Sequence, residues 1–392
     1  MAGTSAPASE EDVAAGLAAA SRSREAIVIR GGGTRLELGA PARADRVIDL
    51  GGLSGVIEHH VTDLTVEAWA GTTVGALNRE LAPHRQVLAL DPPLPDRATL
   101  GGVIATGDPG FRAVPGSRPR DLLLGLSAVL ADGTRIRSGG RVVKNVTGYE
   151  LTKLFTGSLG TLGAITRVTL RLRALPEASR TVVADLPVSD PVDPFADRVL
   201  AAAAAAPGPA AVAVVPPGTG LPGLPEDGGF RLAIRFEGLR EEAAMSPDGV
   251  ATAAGGVTEI LGGPEEEQFW AGVRDFPAVA PGRDGTLGLA VHGPPKALLR
   301  TAWRLAAFGP PLAFPDQRRA IASIPAEEFE AALGALQEEP DVSAVVETAP
   351  GDWKRNHPVF HPPPSAAVAA LSSRIKAALD PDGILAPGRL PF

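Results

Sequence analysis

The chain has 392 residues, with 37 Lys and Arg against 45 Asp and Glu, a formal net charge of -8, and no cysteine. This length predicts two or three domains, each able to bury a core. The lack of cysteine excludes disulfides, thiolate zinc sites and an iron–sulfur cluster held by this chain, and the negative charge argues against non-specific nucleic-acid binding.

Membrane and export signals are not found in the sequence. No apolar run reaches the roughly 18 residues that a transmembrane helix needs, and the first residues lack a basic region followed by an apolar core. We therefore expect a cytoplasmic protein that associates with the inner face of the cell membrane, if at all, through partners.

Strands and helices alternate over the first 175 residues. The predicted helices are residues 10–22, 74–81 and 150–155, and the predicted strands are residues 26–30, 47–50, 64–70, 122–131, 134–137 and 165–172. Asp132-Gly133 lies between two strands, and this dipeptide is typical of a β-hairpin turn. Residues 98–105 are predicted to form a loop around paired glycines.

A plainer pattern of alternating strands and helices repeats after residue 176. The predicted strands are residues 181–186, 211–215, 230–236, 256–261, 286–292, 319–324 and 344–348, and the predicted helices are 195–206, 240–254, 265–276, 295–308, 325–338 and 366–379. Such units predict an antiparallel sheet covered by helices, ferredoxin-like in type.

Three glycine-rich segments are the strongest functional signals. The first, Arg-Gly-Gly-Gly-Thr at residues 30–34, ends a strand, and its backbone N–H groups can form a concavity for an anion such as a pyrophosphate. An ordinary glycine loop is the alternative. The segment matches neither the dinucleotide-binding G-x-G-x-x-G pattern nor a P-loop, since no Gly-Lys-Ser or Gly-Lys-Thr occurs in the chain.

The second and third segments follow at residues 98–105 and 143–166. Ala-Thr-Leu-Gly-Gly-Val-Ile-Ala at 98–105 fits either a cofactor-binding loop or a tight turn between core strands. The third runs from Val-Lys-Asn-Val-Thr-Gly-Tyr-Glu to Gly-Ser-Leu-Gly-Thr-Leu-Gly-Ala-Ile-Thr.

In this order and spacing, the three segments resemble the vanillyl-alcohol-oxidase/PCMH-type FAD-binding family. Within that family the chain is most similar to the FAD-binding subunits of glycolate oxidases. The resemblance covers the first 175 residues and returns at the end, in Leu-Asp-Pro-Asp-Gly at 379–383 and Pro-Gly-Arg at 387–389.

The resemblance implies that FAD binds between the glycine-rich segments. The residues that it assigns to the cofactor are Arg30, Gly31, Gly32, Gly33, Thr34, Arg35, Thr99, Leu100, Gly101, Gly102, Ala105, Gly160, Gly163 and Ile165. Relatives with covalent flavin attach it to a His or Cys in the first two segments, and neither residue type occurs there. FAD is therefore expected to be non-covalent.

Four residues are candidates for the reacting end of the flavin. Lys144 and Arg389 are cations that could lie near N1–C2=O, where charge collects on reduction. Tyr149 either donates near the flavin or packs against its loop. His357 is either a base or substrate contact, together with His361, or a loop histidine.

No metal site is expected. His357 and His361 stand four residues apart, but Pro358 between them makes a helical metal pair improbable. The segment Asp108-Pro109-Gly110-Phe111-Arg112 departs from the Gly-Pro-x-Arg that is usual in the family. The resemblance implies that the flavin ring or a partner lies there, so the reactivity at this position stays open.

The sequence thus predicts an α+β protein: a PCMH-type FAD-binding domain of two α+β subdomains at 1–175, an antiparallel-sheet, ferredoxin-like cap at 176–345, and a segment at 346–392 that returns to the FAD domain. The predicted activity is oxidation of a small 2-hydroxy acid of the glycolate or D-lactate class, with electrons passed to an Fe–S subunit beside a second flavoprotein subunit. The alternatives are a structural subunit that only holds the cofactor, and a stand-alone FAD-linked oxidase.

Overall fold

A computed structural model of the protein describes residues 3–110, 116–140, 150–186, 192–221, 229–243, 248–256, 259–279, 285–350 and 352–391. They form two units. The first contains the described residues up to 175 together with 363–391, and the second contains those of 176–362.

The first unit begins with a parallel sheet of three strands in the order β1–β3–β2. These strands are β1 (Gly3–Ser5), β2 (Ile27–Arg30) and β3 (Arg46–Asp49). Helix α1 (Glu10–Ser23) packs on the sheet because Val13, Leu17 and Ala20 share one face and are fully buried. Ser9 caps this helix by accepting a hydrogen bond from the backbone N–H of Asp12.

A five-stranded antiparallel sheet forms the second part of this unit, in the order β4–β5–β9–β7–β8. Its strands are β4 (Val56–His60), β5 (Thr65–Trp69), β7 (Leu123–Val129), β8 (Arg135–Gly139) and β9 (Ala164–Arg171), while β6 (Gln86–Val87) pairs with β10 (Arg173–Ala174). The helices are α2 (Val74–Leu81), α3 (Leu100–Thr106), α4 (Pro119–Leu122) and α5 (Leu151–Phe155), with a 3-10 turn at Ala82–His84. One apolar core unites α2 and α3 with this sheet.

The second unit is built on one antiparallel sheet of nine strands in the order β14–β11–β13–β12–β16–β17–β15–β18–β19. The strands are β11 (Ala178–Leu186), β12 (Ala211–Val215), β13 (Phe230–Gly238), β14 (Glu259–Leu261), β15 (Thr286–His292), β16 (Pro311–Phe314), β17 (Arg319–Pro325), β18 (Ser343–Thr348) and β19 (Phe360–His361). The helices are α6 (Val192–Ala205), α7 (Arg240–Ala243), α8 (Asp248–Ala254), α9 (Gly263–Val279), α10 (Pro295–Leu305), α11 (Phe329–Gln337) and α12 (Trp353–Asn356), with a 3-10 turn at Ala326–Glu328.

The C-terminal segment belongs to the first unit. Helix α13 (Ala366–Leu379) packs Ile375 and Leu379 against the core of the five-stranded sheet. The chain then runs parallel to β2: the N–H of Ile27 donates to the Ile384 carbonyl at 2.7 Å, and the N–H of Ala386 donates to the Ile27 carbonyl at 2.7 Å. These hydrogen bonds hold residues 384–386 alongside β2.

The structure confirms the predicted α+β fold, with parallel and antiparallel sheets in the first unit and an antiparallel sheet in the second. The second unit extends to residue 362, so the predicted boundary after residue 345 falls inside β18. Among the described helices, none combines the length and the apolar character needed to cross a membrane.

The prediction was wrong at residues 98–105, and it missed strand β16. Residues 98–105 are not a loop, because α3 begins at Leu100. The described parts of the helix predicted at 240–254 are helical, as α7 and α8, and residues 244–247 lie outside the described residues. Strand β16 was missed because it begins at Pro311, directly after Pro310, and proline is rare in strands.

Candidate functional site

A cavity that is partly open to solvent lies within the first unit. Twelve of the fourteen predicted cofactor residues line it: Gly31, Gly32, Gly33, Thr34, Arg35, Thr99, Gly101, Gly102, Ala105, Gly160, Gly163 and Ile165. Three segments that are far apart in the sequence therefore meet in one place.

The first wall is the glycine loop that follows β2. A Cβ at Gly31 would lie 2.1 Å from Thr99 Oγ1, and one at Gly32 would lie 1.6 Å from the Arg97 carbonyl oxygen. Only glycine permits this approach, since backbone atoms on the opposite side cannot move aside. The loop therefore packs closely against residues 97–99, and Gly31 and Gly32 present backbone atoms without a side chain.

The second wall is the beginning of α3. Thr99 caps the helix, because its hydroxyl accepts a hydrogen bond from the N–H of Gly102 at 3.3 Å. The N–H of Gly101 donates to the Ala70 carbonyl at 2.8 Å, and a Cβ on Gly101 would lie 2.8 Å from the Ala70 Cβ. Small residues at this turn let the helix lie directly on the end of β5.

The third wall runs from Leu159 to Ile165. The N–H of Leu159 donates to the Ala105 carbonyl at 2.8 Å, which ties this segment to α3. A Cβ at Gly163 would lie 2.9 Å from the Val129 carbonyl oxygen and 3.0 Å from the Phe155 ring, so this glycine also permits a close approach.

Arg389 supplies a positive charge at the cavity. Its Nη1 donates to the carbonyl oxygens of Leu36 at 2.8 Å and Leu38 at 3.3 Å, and the residue is 8% exposed. Burial lowers its pKa from the ordinary value. Its Nε is buried and has no hydrogen-bond partner in the described part of the chain. A buried guanidinium with only neutral acceptors favours an anionic ligand.

The sequence did not predict an acidic group in this cavity. Asp108 is 8% exposed and lines the cavity, where its carboxylate accepts a hydrogen bond from Arg35 Nη2 at 2.9 Å. The departure of residues 108–110 from the family pattern was the available signal. The other lining residues that the sequence did not indicate are mainly apolar: Ile29, Leu36, Leu50, Ala70, Pro92, Pro93, Ala98, Val103, Thr106 and Leu159.

Two predicted cofactor residues are placed elsewhere. The Arg30 guanidinium pairs with Asp49 at 2.6 Å, and neither residue lines the cavity. Leu100 is 1% exposed and packs in the core between α2, α3 and the five-stranded sheet.

The catalytic candidates are only partly described. Lys144 and Tyr149 lie outside the described residues. His357 belongs to the second unit, where it is exposed, stacks on Trp353 with ring centroids 4.1 Å apart, and contacts the Trp353 carbonyl through Nδ1 at 2.9 Å. Across the described ranges, no group of three or more His, Asp or Glu side chains could hold a metal ion.

Residues 1–139 match the model of the FAD binding domain family. The match covers about a third of the chain and shows that this part is similar to an FAD binding domain. The matched residues carry the first two walls of the cavity.

Three curated relatives match less than half of the chain. The chain is 30% identical over 172 residues to the glycolate oxidase subunit GlcE of Escherichia coli (strain K12), which covers 44% of this chain and 49% of that protein. It is 33% identical over 180 residues to the glycolate oxidase subunit GlcD of Bacillus subtilis (strain 168), covering 46% and 38%. With a D-lactate dehydrogenase of Archaeoglobus fulgidus it shares 37% identity over 174 residues, covering 42% and 37%. The matches therefore span half or less of each relative.

Solved structures show similarity of fold over nearly the whole chain. A p-cresol methylhydroxylase with substrate bound has a TM-score of 0.70 at 16% identity, covering 99% of this chain and 88% of that one. An alkyldihydroxyacetonephosphate synthase has a TM-score of 0.67 at 16% identity, covering 98% and 76%. At this identity the likeness concerns the fold alone.

The residues present fit FAD. The glycine loops offer backbone N–H groups without side-chain bulk, as a pyrophosphate requires. The buried Arg389 Nε, which has no partner among the described residues, supplies a donor for an anionic group. The apolar lining residues suit the ring systems of the cofactor.

Proposed function

We propose that the chain is an FAD-dependent oxidoreductase that removes hydride from C2 of a small 2-hydroxy acid of the glycolate or D-lactate class, as a subunit of a glycolate oxidase-type complex. The observation that carries the proposal is the cavity in which the three glycine-rich segments and Arg389 meet. The names of the relatives, two glycolate oxidase subunits and a D-lactate dehydrogenase, support the substrate class.

The cofactor is proposed to lie along the three walls without a covalent bond. The backbone of Gly31 to Arg35 would hold the pyrophosphate, Thr99 to Ala105 the second side, and Gly160 to Ile165 the adenine–ribose half. The chain has no cysteine, and its six histidines are not among the residues that line the cavity. When bound, FAD supplies a two-electron acceptor for the hydride.

The chain's own residues have separable tasks in this proposal. Arg389 places a positive charge at the cavity, and Asp108 holds Arg35 in a fixed position. A base must accept the proton of the substrate hydroxyl, and a cation must bind its carboxylate. Lys144, Tyr149 and His357 remain the candidates for these two tasks, beside Arg389.

Electron transfer onward is proposed to use partners. Without cysteine the chain cannot ligate an Fe–S cluster through thiolates. We therefore propose an Fe–S subunit and a second flavoprotein subunit, in a cytoplasmic complex at the inner face of the membrane. Two measurements would test this assembly. An iron-containing protein should copurify with the chain, and the chain should be recovered with membranes and released from them by a salt wash.

The activity can be tested by mixing the FAD-loaded chain anaerobically with glycolate, D-lactate or L-lactate and following the visible absorbance of the flavin. We expect bleaching by glycolate or D-lactate and not by L-lactate. Flavin that dithionite bleaches but none of the acids bleaches would contradict oxidation by this chain alone.

Two further arms of this experiment separate the alternatives. Bleaching that occurs only after addition of the second flavoprotein subunit would assign the oxidation to that subunit and leave this chain a cofactor-holding role. Continuous formation of peroxide after air is admitted to the chain alone would instead indicate a stand-alone oxidase.

A further inference from the structure

Lys376, on the last turns of α13, makes three hydrogen bonds although it does not line the cavity. Its Nζ donates to the carbonyl oxygens of Thr161 and Leu385, each at 2.7 Å, and to the carboxylate of Asp380. An ammonium group has three protons, so these bonds use its full donor capacity. The side chain is 15% exposed, and that of Asp380 is fully buried.

The carboxylate of Asp380 is also held by several hydrogen bonds. Its Oδ1 accepts a hydrogen bond from the N–H of Ile384 at 3.0 Å, and its Oδ2 accepts one from the N–H of Leu385 at 2.8 Å. The carboxylate thus closes the turn between α13 and the last residues. Lys376 and Asp380 together form a buried pair whose remaining bonds all go to backbone groups.

The backbone partners of this pair lead to two walls of the cavity. Thr161 lies between Gly160 and Gly163, which line the third wall. Leu385 lies beside Ile27 of β2, in the segment that runs on to Arg389. The side chain of Lys376 therefore connects the third wall of the cavity to the C-terminal segment through its hydrogen bonds.

We infer that Lys376 is a positioning residue for the FAD site: it fixes the segment that carries Arg389 against the wall at Gly160–Gly163. The inference rests on the proposed binding of FAD in this cavity. Buried pairs of this kind contribute little net stability compared with apolar residues, and in some proteins they determine which groups meet. Loss of the pair should therefore misplace Arg389 more than it unfolds the domain.

The test is a double-mutant cycle on FAD affinity. Arg389→Met is made in the unaltered chain and in a chain with both Lys376→Met and Asp380→Asn, because removing both charges leaves no unpaired buried ion. FAD dissociation constants are measured by flavin fluorescence on full-length apoprotein, with Arg374→Met as the control because Arg374 is exposed on the same helix.

We expect Arg389→Met to weaken FAD binding about tenfold or more in the unaltered chain, the loss expected for a charge-assisted hydrogen bond. In the chain without the pair, Arg389→Met should raise the FAD dissociation constant by less than about a third of that factor, because the effects of coupled residues are not additive. Arg374→Met should change the affinity less than about twofold.

An equal loss in both backgrounds would overturn the inference, since a residue that only stabilises the fold gives additive effects. The visible circular dichroism of the bound flavin, recorded at saturating FAD, is a second measurement. A spectrum unchanged by loss of the pair would also count against positioning. Failure of the unaltered chain to bind FAD would overturn the proposed function, whereas binding without coupling would overturn only this inference.

Discussion

Arg35 and Asp108 form an ion pair at the cavity, with 2.9 Å between Nη2 and the carboxylate oxygen. Arg35 belongs to the glycine loop after β2, and Asp108 follows the end of α3. Both side chains are largely buried, at 11% and 7% exposure. The other carboxylate oxygen of Asp108 accepts a hydrogen bond from the N–H of Gly110 at 3.0 Å. One carboxylate therefore links two walls of the site.

Asp108→Asn tests this tie. The amide oxygen can still accept from Gly110, but the charge that faces Arg35 is lost. We expect the free energy of unfolding of the apoprotein to fall by about 1–3 kcal/mol, as for a buried hydrogen bond to a charged partner. Chemical denaturation of the apoprotein measures this change.

Asp96→Asn is the matched control, because Asp96 pairs with Arg79 at the surface, where the side chains are 68% and 67% exposed. It should cost less than about 1 kcal/mol. Equal losses in the two variants would show that the Arg35–Asp108 pair has no special part in the fold.

Gly32→Asp should weaken FAD binding. A side chain at this position meets the Arg97 carbonyl oxygen, and the added carboxylate would repel a pyrophosphate. We expect at least an approximately tenfold rise in the FAD dissociation constant, the equivalent of about 1.4 kcal/mol. Gly52→Asp is the control, since nothing lies within 4 Å of a Cβ there. Full FAD occupancy in Gly32→Asp would mean that the pyrophosphate lies elsewhere.

Acid precipitation tests the non-covalent attachment of FAD. The chain has no cysteine, and its histidines are not among the cavity-lining residues. The yellow purified protein should release its flavin into the supernatant, where FAD is measured by absorbance and chromatography. Flavin that stays with the precipitated chain would contradict the prediction.

Glu266→Ala should destabilise the second unit. The buried carboxylate of Glu266 accepts hydrogen bonds from Ser179 at 2.6 Å and Thr181 at 2.8 Å, and it lies 3.3 Å from Arg235 Nε. Removing it leaves the Arg235 charge without this partner, at a cost of about 3–5 kcal/mol.

Glu267→Ala is the control for this prediction, because Glu267 is the exposed neighbour on α9. It should cost less than about 0.5 kcal/mol. Thermal unfolding followed by circular dichroism distinguishes the two variants, and similar midpoints for both would count against a structural role of Glu266.

The cavity walls could be predicted from the sequence because they consist of glycine-rich segments, which are easy to recognise. A close approach such as that of Gly32 to Arg97 excludes every other residue, so the requirement is visible in the sequence itself. The start of α3 was not recognised, since a helix that begins with Leu-Gly-Gly has a low intrinsic propensity. Tertiary bonds, such as that from Gly101 to Ala70, override the propensity there.

Contacts made through the backbone of distant residues were not visible in the sequence. Lys376 bonds to the Thr161 carbonyl 215 residues away, and any residue at position 161 offers a carbonyl oxygen. The ion pair of Arg30 was not visible for a related reason, because the pattern could not show that Asp49 on the neighbouring strand accepts from its guanidinium. The motifs therefore predicted residues that line one cavity, while the side chains that hold the walls of the cavity became visible only in the fold.

A crystal structure of the full chain with FAD bound tests the central claim most directly. We predict electron density for the cofactor along the three glycine-rich walls, with the pyrophosphate within hydrogen-bonding distance of backbone N–H groups in Gly31 to Arg35 and no covalent link to the protein. FAD bound outside this cavity, or a pyrophosphate remote from the Gly31–Arg35 loop, would contradict the assignment of the site.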